Sequence, residues 1–202
     1  MCGIAGISNL RDGLAAPGLE PLTRMIGAIE HRGPDEMGVY RDATTGLAHA
    51  RLSIIDLHTG QQPLGNEDGS LWVVFNGEIF NYLELRRELE ALGHVFRTRS
   101  DTETLVHAWE SWEEGAFDRF NGQWAAALWD ARERRLVLTR DRLGVRALYY
   151  AEQAGRLIFG SEVKAVFAGE PGLPQRRDPL GLEETFTFWT VVPPQTLFHG
   201  IR

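Results

Sequence analysis

The sequence is poor in several things, and each shortage closes off a class of protein. One cysteine in 202 residues allows no disulfide within the chain, which fits a reducing compartment and leaves a single thiol for chemistry. Basic residues are outnumbered, 21 against 28 acidic, for a formal net charge of −7. Phosphate backbones and anionic membranes need a basic field, so neither nucleic acid nor a membrane is an expected partner. No apolar run approaches the roughly 18 residues of a membrane-spanning helix. The start, MCGIAGISNLRDG, lacks the basic region and sustained apolar stretch of a secretory leader, so the expected location is the cytoplasm. None of the six histidines sits in a local motif that would pair it with the cysteine as a base. Internal repeats and low-complexity tracts are missing too.

What is present, 43% hydrophobic and 24% charged residues, suffices for one globular domain with a substantial core. CGIAGIS reads as a short buried strand. In PGLEPLTRMIGAIE, residues Leu19, Leu22, Met25, Ile26 and Ile29 recur at helical spacing, and HRGPD ends that helix because Pro34 biases Gly33 away from helical angles. MGVYR, GLAHARL and LWVVF follow as strands between turn-forming stretches. A second helix is expected near Asn81, with Asn81 and Glu84 at capping-box spacing and Tyr82, Leu85, Leu89 and Leu92 as its apolar stripe. A third starts at Ser100 or Asp101, where Ser100 and Glu103 repeat the spacing. QWAAALWDA, RLVLTR, RALYY and RLIFG are strands, and SEVKAVF is a short helix. GEPGLPQRRDP reads as a linker, and the aromatic stretch after it has no clear period. The class is α+β, with many antiparallel strands and a few helices.

Four stretches carry groups suited to chemistry. Cys2 follows the initiator methionine. If Met1 is removed, its α-amine, with a pKa of about 7.7–8.0, can act as base for the thiol of the same residue; the bland reading is a small buried strand residue. In VVFNGEIFN, the Asn76 amide and the Gly77 N–H have the makings of an oxyanion hole, against the ordinary reading of Asn-Gly as a hairpin turn. Arg51, in HARLSIID, can grip a carboxylate with two parallel hydrogen bonds or form a surface ion pair. Asp101, in SDTET, can hold a substrate ammonium or simply cap a helix. Together they describe a pocket for a free amino acid.

MCGIAGI, HRGPD, HARLSIIDL, GQQPL, FNGEIFNY, SDTETL, FNGQWAAALWD, TRDRLGVRALYY and FGSEVKA, in that order, resemble the N-terminal glutaminase domain of glutamine-hydrolysing asparagine synthetases, the class II glutamine amidotransferases. The resemblance covers nearly the whole chain. It implies a four-layer αββα sandwich of the N-terminal nucleophile (Ntn) hydrolase type, two antiparallel sheets flanked by helices. It further implies Cys2 as nucleophile, Asn76 and Gly77 as oxyanion donors, and a glutamine pocket formed by Arg51, Leu52, Ser53, Ile54, Ile55, Glu78 and Asp101. The implied reaction is hydrolysis of L-glutamine through a Cys2 thioester, with the ammonia supplied to an ATP-dependent synthetase domain. No metal and no cofactor are implied here; ATP and Mg belong to that synthetase domain, whose Ser-Gly-Gly-x-Asp-Ser loop this sequence does not contain. Residues 2–168 would be the amidotransferase domain and 169–202 a linker and the start of the connection to the synthetase, with a homodimer as a further assembly to test. Gln123, Ala126 and Ala147 depart from the family pattern and bear on local packing. Two other readings stay open: a catalytically silent docking or dimerisation module, and an Ntn hydrolase acting on another amide.

Overall fold

A computed structural model describes residues 1–56 and 58–202; Leu57, the last residue of HARLSIIDL, lies outside them. Two antiparallel sheets form the centre. The first has the order β2 (Glu36–Arg41), β3 (Thr45–Arg51), β1 (Gly3–Asn9), β9 (Arg156–Gly160), β8 (Tyr149–Gln153); the second is β4 (Leu64–Gly65), β5 (Leu71–Ile79), β6 (Gly122–Asp130), β7 (Arg135–Arg140).

Because side chains alternate along a strand, each sheet offers one face to the other sheet and one to helices. On β6, Ala125, Ala127 and Trp129 enter the core between the sheets with Ile4, Leu47, Val74 and Phe159. The intervening Trp124, Ala126 and Leu128 pack outward with Leu85, Leu89 and Leu105, which come from α2 (Tyr82–Ala91) and α3 (Asp101–Trp112). On β1, Ala5 and Ile7 face the opposite way, against Leu22, Met25 and Ile26 of α1 (Leu19–Gly27) and Ala165 and Val166 of α5 (Val163–Gly169). Three cores between four layers make the αββα sandwich. Gln123 stands half-buried at the start of β6, and Ala126 is fully buried.

Several local expectations are revised. The Asn81 side chain does not cap α2: its amide donates to the Arg119 carbonyl at 3.0 Å and accepts from the Asn121 N–H at 2.9 Å, tying α2 to the turn before β6. Ser100 does cap α3, accepting from the Thr102 N–H. Glu103 does not close the box, because its carboxylate takes the N–H groups of Arg97 and Thr98. Leu92 and Leu19 are exposed and leave their helices' apolar stripes.

After α4 (Ala116–Arg119) and the strands that follow it, residues 169–202 do more than cross the surface. Asp178 caps α6 (Pro179–Phe188), accepting from Leu180 and Gly181 N–H. Leu173 and Ile201 are buried, Phe198 meets Phe167 edge-on, and Tyr150 and Arg202 exchange backbone hydrogen bonds at the free edge of β8. Phe186 and Trp189, by contrast, are 83% and 92% exposed.

Candidate active site

Cys2 precedes β1, the central strand of the first sheet, and the pairing of Gly3 with Ala50 puts it beside Arg51 at the end of β3. The second sheet brings Asn76, Gly77 and Glu78 on β5, and the start of α3 brings Asp101. A cavity of about 60 Å³ is lined by Cys2, Arg51, Leu52, Ile54, Ile55, Asn76, Gly77, Glu78 and Asp101, with Met1, Gln62 and Arg146 also in its wall. All the residues singled out in the sequence meet there except Ser53, whose N–H donates to the Asp35 carboxylate at 2.8 Å.

The Cys2 Sγ accepts from the Leu52 N–H at 3.4 Å, and its S–H faces the Leu52 carbonyl at 3.6 Å. Burial pushes the thiol up, against the pull of the Leu52 N–H, the chain-terminal ammonium and Arg51. A thiol held up in this way needs a base to become a nucleophile. Its backbone is fixed by Arg32, whose Nε donates to the Cys2 carbonyl at 3.0 Å while the other arm of the guanidinium pairs with Glu162.

The second sheet contributes donors. β4 pairs with β5 only at Val73 and Trp72, so the β5 edge beyond it has N–H groups to satisfy. Two side chains take the place of the missing strand: the Gln62 Oε1 accepts from the Phe75 N–H at 2.6 Å, and the Asp101 Oδ2 from the Ile79 N–H at 3.0 Å. N–H direction alternates along a strand, so the Gly77 N–H points out of the same edge between them, and no described residue accepts from it. The adjacent Asn76 amide nitrogen is buried and likewise lacks a partner, with Asn76 only 1% exposed. Buried donors are almost always paired in a folded protein, so the Asn76 amide, with the Gly77 N–H beside it, marks a place kept for an acceptor. Position 77 must be glycine for packing as well: a Cβ there would lie 2.2 Å from the Gln123 carbonyl oxygen.

The charged groups are arranged less simply. Burial pushes the Asp101 carboxyl up to about 6; the N–H groups of Ile79 and Thr102 pull it down and Glu78 pushes it further up. No cation pairs with it among the described residues, so the site carries an anion without a counterion. Arg51 is buried and occupied: it donates to Glu36 at 2.8 Å and to the carbonyls of Ile55 and Asp56. Any carboxylate reaching Arg51 would share or exchange with Glu36, which lies directly opposite on β2.

Three contributors were not anticipated from the sequence. Gln62 holds β5 as described and donates to Thr102 at 3.2 Å, joining β5 to α3. His49, buried between the sheets, donates from Nε2 to the Phe75 carbonyl at 3.1 Å; burial lowers its pKa to about 4, so it stays neutral. Arg146 reaches the cavity wall on a loop whose N–H groups at 143, 145 and 146 are gathered by Asp141, and its guanidinium rests on the Met1 sulfur. All three depend on partners distant in sequence.

A family model described as a glutamine amidotransferase domain matches residues 1–202. Among curated proteins the chain is 36% identical over 205 residues to the glutamine-hydrolysing asparagine synthetase 3 of Bacillus subtilis, covering all of this chain and 33% of that protein. It is 44% identical over 181 residues to asparagine synthetase 2 of the same organism, covering 87% of this chain and 23% of that one. The chain thus spans a third or less of the length of these relatives. Among solved structures it resembles the glutamine phosphoribosylpyrophosphate amidotransferase of B. subtilis, with a TM-score of 0.64, and a structure described as the allosteric regulatory enzyme of purine biosynthesis, with 0.69. Both are 20% identical and cover 83% of this chain and 43% of theirs, a likeness of fold and in keeping with the Ntn-type sandwich.

Proposed function

The chain belongs to the glutamine amidotransferase domain family, and from that premise we propose that it hydrolyses L-glutamine to glutamate and ammonia at Cys2. Removal of Met1 places an α-amine on the nucleophilic residue. This amine takes the thiol proton as the sulfur attacks the side-chain amide carbon, and the oxyanion so formed is held by the Asn76 amide and the Gly77 N–H. The amine returns the proton to the departing nitrogen, ammonia leaves, and a γ-glutamyl thioester remains. Water, deprotonated by the same amine, attacks the thioester, and collapse of the second oxyanion frees glutamate and the thiol.

Asp101, with Glu78 beside it, receives the substrate ammonium, and Arg51 the α-carboxylate in exchange with Glu36. No cofactor enters this reaction. The observation that carries the reading is the pair of unpartnered donors at Asn76 and Gly77 facing the cavity that holds Cys2.

The ammonia goes to an ATP-dependent synthetase domain of the asparagine synthetase type, which would bring ATP and Mg with it. In this reading residues 169–202 connect the two parts, and Phe186, Phe188 and Trp189, exposed on and just after α6, offer an apolar face for the partner. A cytoplasmic location fits a free thiol at the catalytic centre.

The test is glutamate production from glutamine by the purified chain beside Cys2→Ala, with a panel of other amides and intact mass on the same samples. Glutamine-selective activity that is lost in the variant, on protein lacking Met1, supports the proposal. Activity on another amide instead, or full activity in Cys2→Ala, refutes it.

A further inference from the structure

A second cluster of reactive side chains lies away from the cavity, on the far half of α3. His107 and Glu110 sit three residues apart on one face of the helix, and His94 reaches them from the connection between α2 and α3. One ligand atom from each lies within 4.8 Å of the others. Glu110 Oε2 is 2.8 Å from His107 Nδ1 and 3.6 Å from His94 Nδ1. Metal–ligand bonds of about 2.0–2.2 Å place neighbouring ligand atoms about 3.3 Å apart in a tetrahedron, close to the two separations from Glu110.

The outward-facing atoms of the same residues are placed as ligands require. An imidazole that binds a metal presents its other nitrogen to a carboxylate, hydroxyl or carbonyl, which fixes its tautomer. His94 Nε2 lies 2.7 Å from the Ser111 hydroxyl, and Glu110 Oε1 accepts from the Asn66 amide at 2.8 Å. His107 Nε2 faces the carboxylates of Glu67 and Glu103, each at 3.8 Å. That nitrogen is buried without a hydrogen bond, in a side chain only 2% exposed.

Charge supplies an independent argument. Glu67, Glu103 and Glu110 surround His107, and no lysine or arginine forms an ion pair with any of the three among the described residues. Three carboxylates thus outnumber the two imidazoles of His94 and His107 in the cluster.

We propose that His94, His107 and Glu110 bind a divalent cation of the zinc class as a structural site. Two imidazoles and a carboxylate suit zinc, with water as the fourth ligand. The ion would clamp α3 to the preceding loop, about 9 Å along the helix from Asp101 at a rise of about 1.5 Å per residue. It takes no part in the glutamine reaction, and the competing occupant of the space is a proton shared between His107 and Glu110.

The experiment titrates the chelator-treated chain with Zn²⁺ against a chromophoric competitor, with Co²⁺ absorption as a probe of coordination geometry. Wild type and Cys2→Ala should each take up one equivalent, and His94→Ala and Glu110→Gln should each bind at least about tenfold more weakly. Zn²⁺ should raise the melting temperature of the first pair alone, with circular dichroism showing that all four are folded. No stoichiometric uptake by wild type would overturn the proposal and leave a shared proton in the site. Equal uptake by the His94 and Glu110 variants, or loss of uptake in Cys2→Ala, would overturn it as well. None of these readouts uses glutamine, so the result is independent of the proposed reaction.

Discussion

α3 carries carboxylates in opposite circumstances. Burial pushes Glu103 and Glu110 up, but His107, helped by Thr98 and Arg97 N–H groups at Glu103 and by Asn66 at Glu110, brings both below the usual carboxylate range. At the helix start, Asp101 has N–H donors but no cation, and burial carries it up to about 6. Along one helix, Glu103 and Glu110 have an imidazole beside them and Asp101 has no cation. The unpaired donors at Asn76 and Gly77 lie at the same end as Asp101. What the cavity end lacks, a cation for Asp101 and an acceptor for two donors, is what a glutamine molecule would bring.

Removing a group that is unpaired in the free protein should cost catalysis and spare stability. Asn76→Ala is therefore expected to lower kcat by about 10²–10³, with a melting temperature close to wild type, measured by glutamate release and thermal denaturation. Asp101→Asn separates the two properties further. Loss of a charged hydrogen bond to the substrate ammonium should raise KM about 10- to 100-fold. Stability should move the other way. The Asp101 pKa is raised on folding from 3.8 to about 6, so ionisation opposes folding in full above pH 6, and the cost fades as pH falls from about 6 towards 3.8. The variant should be more stable at pH 7 by up to about 3 kcal/mol and no more stable than wild type near pH 3, as denaturant titrations at both pH values would show.

At Glu103, two residues along the helix from Asp101, the outcome reverses. Glu103→Gln leaves the Arg97 and Thr98 N–H groups with a weaker acceptor and should destabilise the chain by about 1–3 kcal/mol, read from the same titrations. The smallest effect is expected at Glu36→Gln. Freed from its competitor, Arg51 should bind the substrate carboxylate more readily and lower KM, by no more than about fivefold for a partly exposed ion pair.

The parts of this arrangement legible in the sequence were those whose chemistry is local. Cys2 is marked by its position, Asn76–Gly77 by a strand running into a turn-like pair, and Asp101 by the start of a helix. The strands of both sheets except the two-residue β4 could be read from apolar patterning, and a four-layer packing followed from the resemblance. Residues whose roles depend on distant partners were not legible. Gln62 matters because β4 is two residues long and leaves the Phe75 N–H without a strand, and His49 because the other sheet lies over it. Asn81 had a capping signature, but the turn at 119–121 claims its side chain. α6 was hidden because its Asp178–Pro179 start, a sound helix signal, lies in a stretch whose composition reads as linker. For Arg51 the sequence left a substrate carboxylate and a surface ion pair both open, and its buried pairing with Glu36 follows from a strand register that local sequence does not reveal.

The central claim is that Cys2 works as an N-terminal residue in a pocket for glutamine. The most direct measurement treats the chain with an electrophilic chloroketone analogue of glutamine, in which the side-chain amide is replaced, and follows intact and peptide mass. The account predicts one adduct per chain, on Cys2 of molecules lacking Met1, with excess glutamine protecting against it. An adduct formed equally on molecules that retain Met1, or one that glutamine does not prevent, would contradict it.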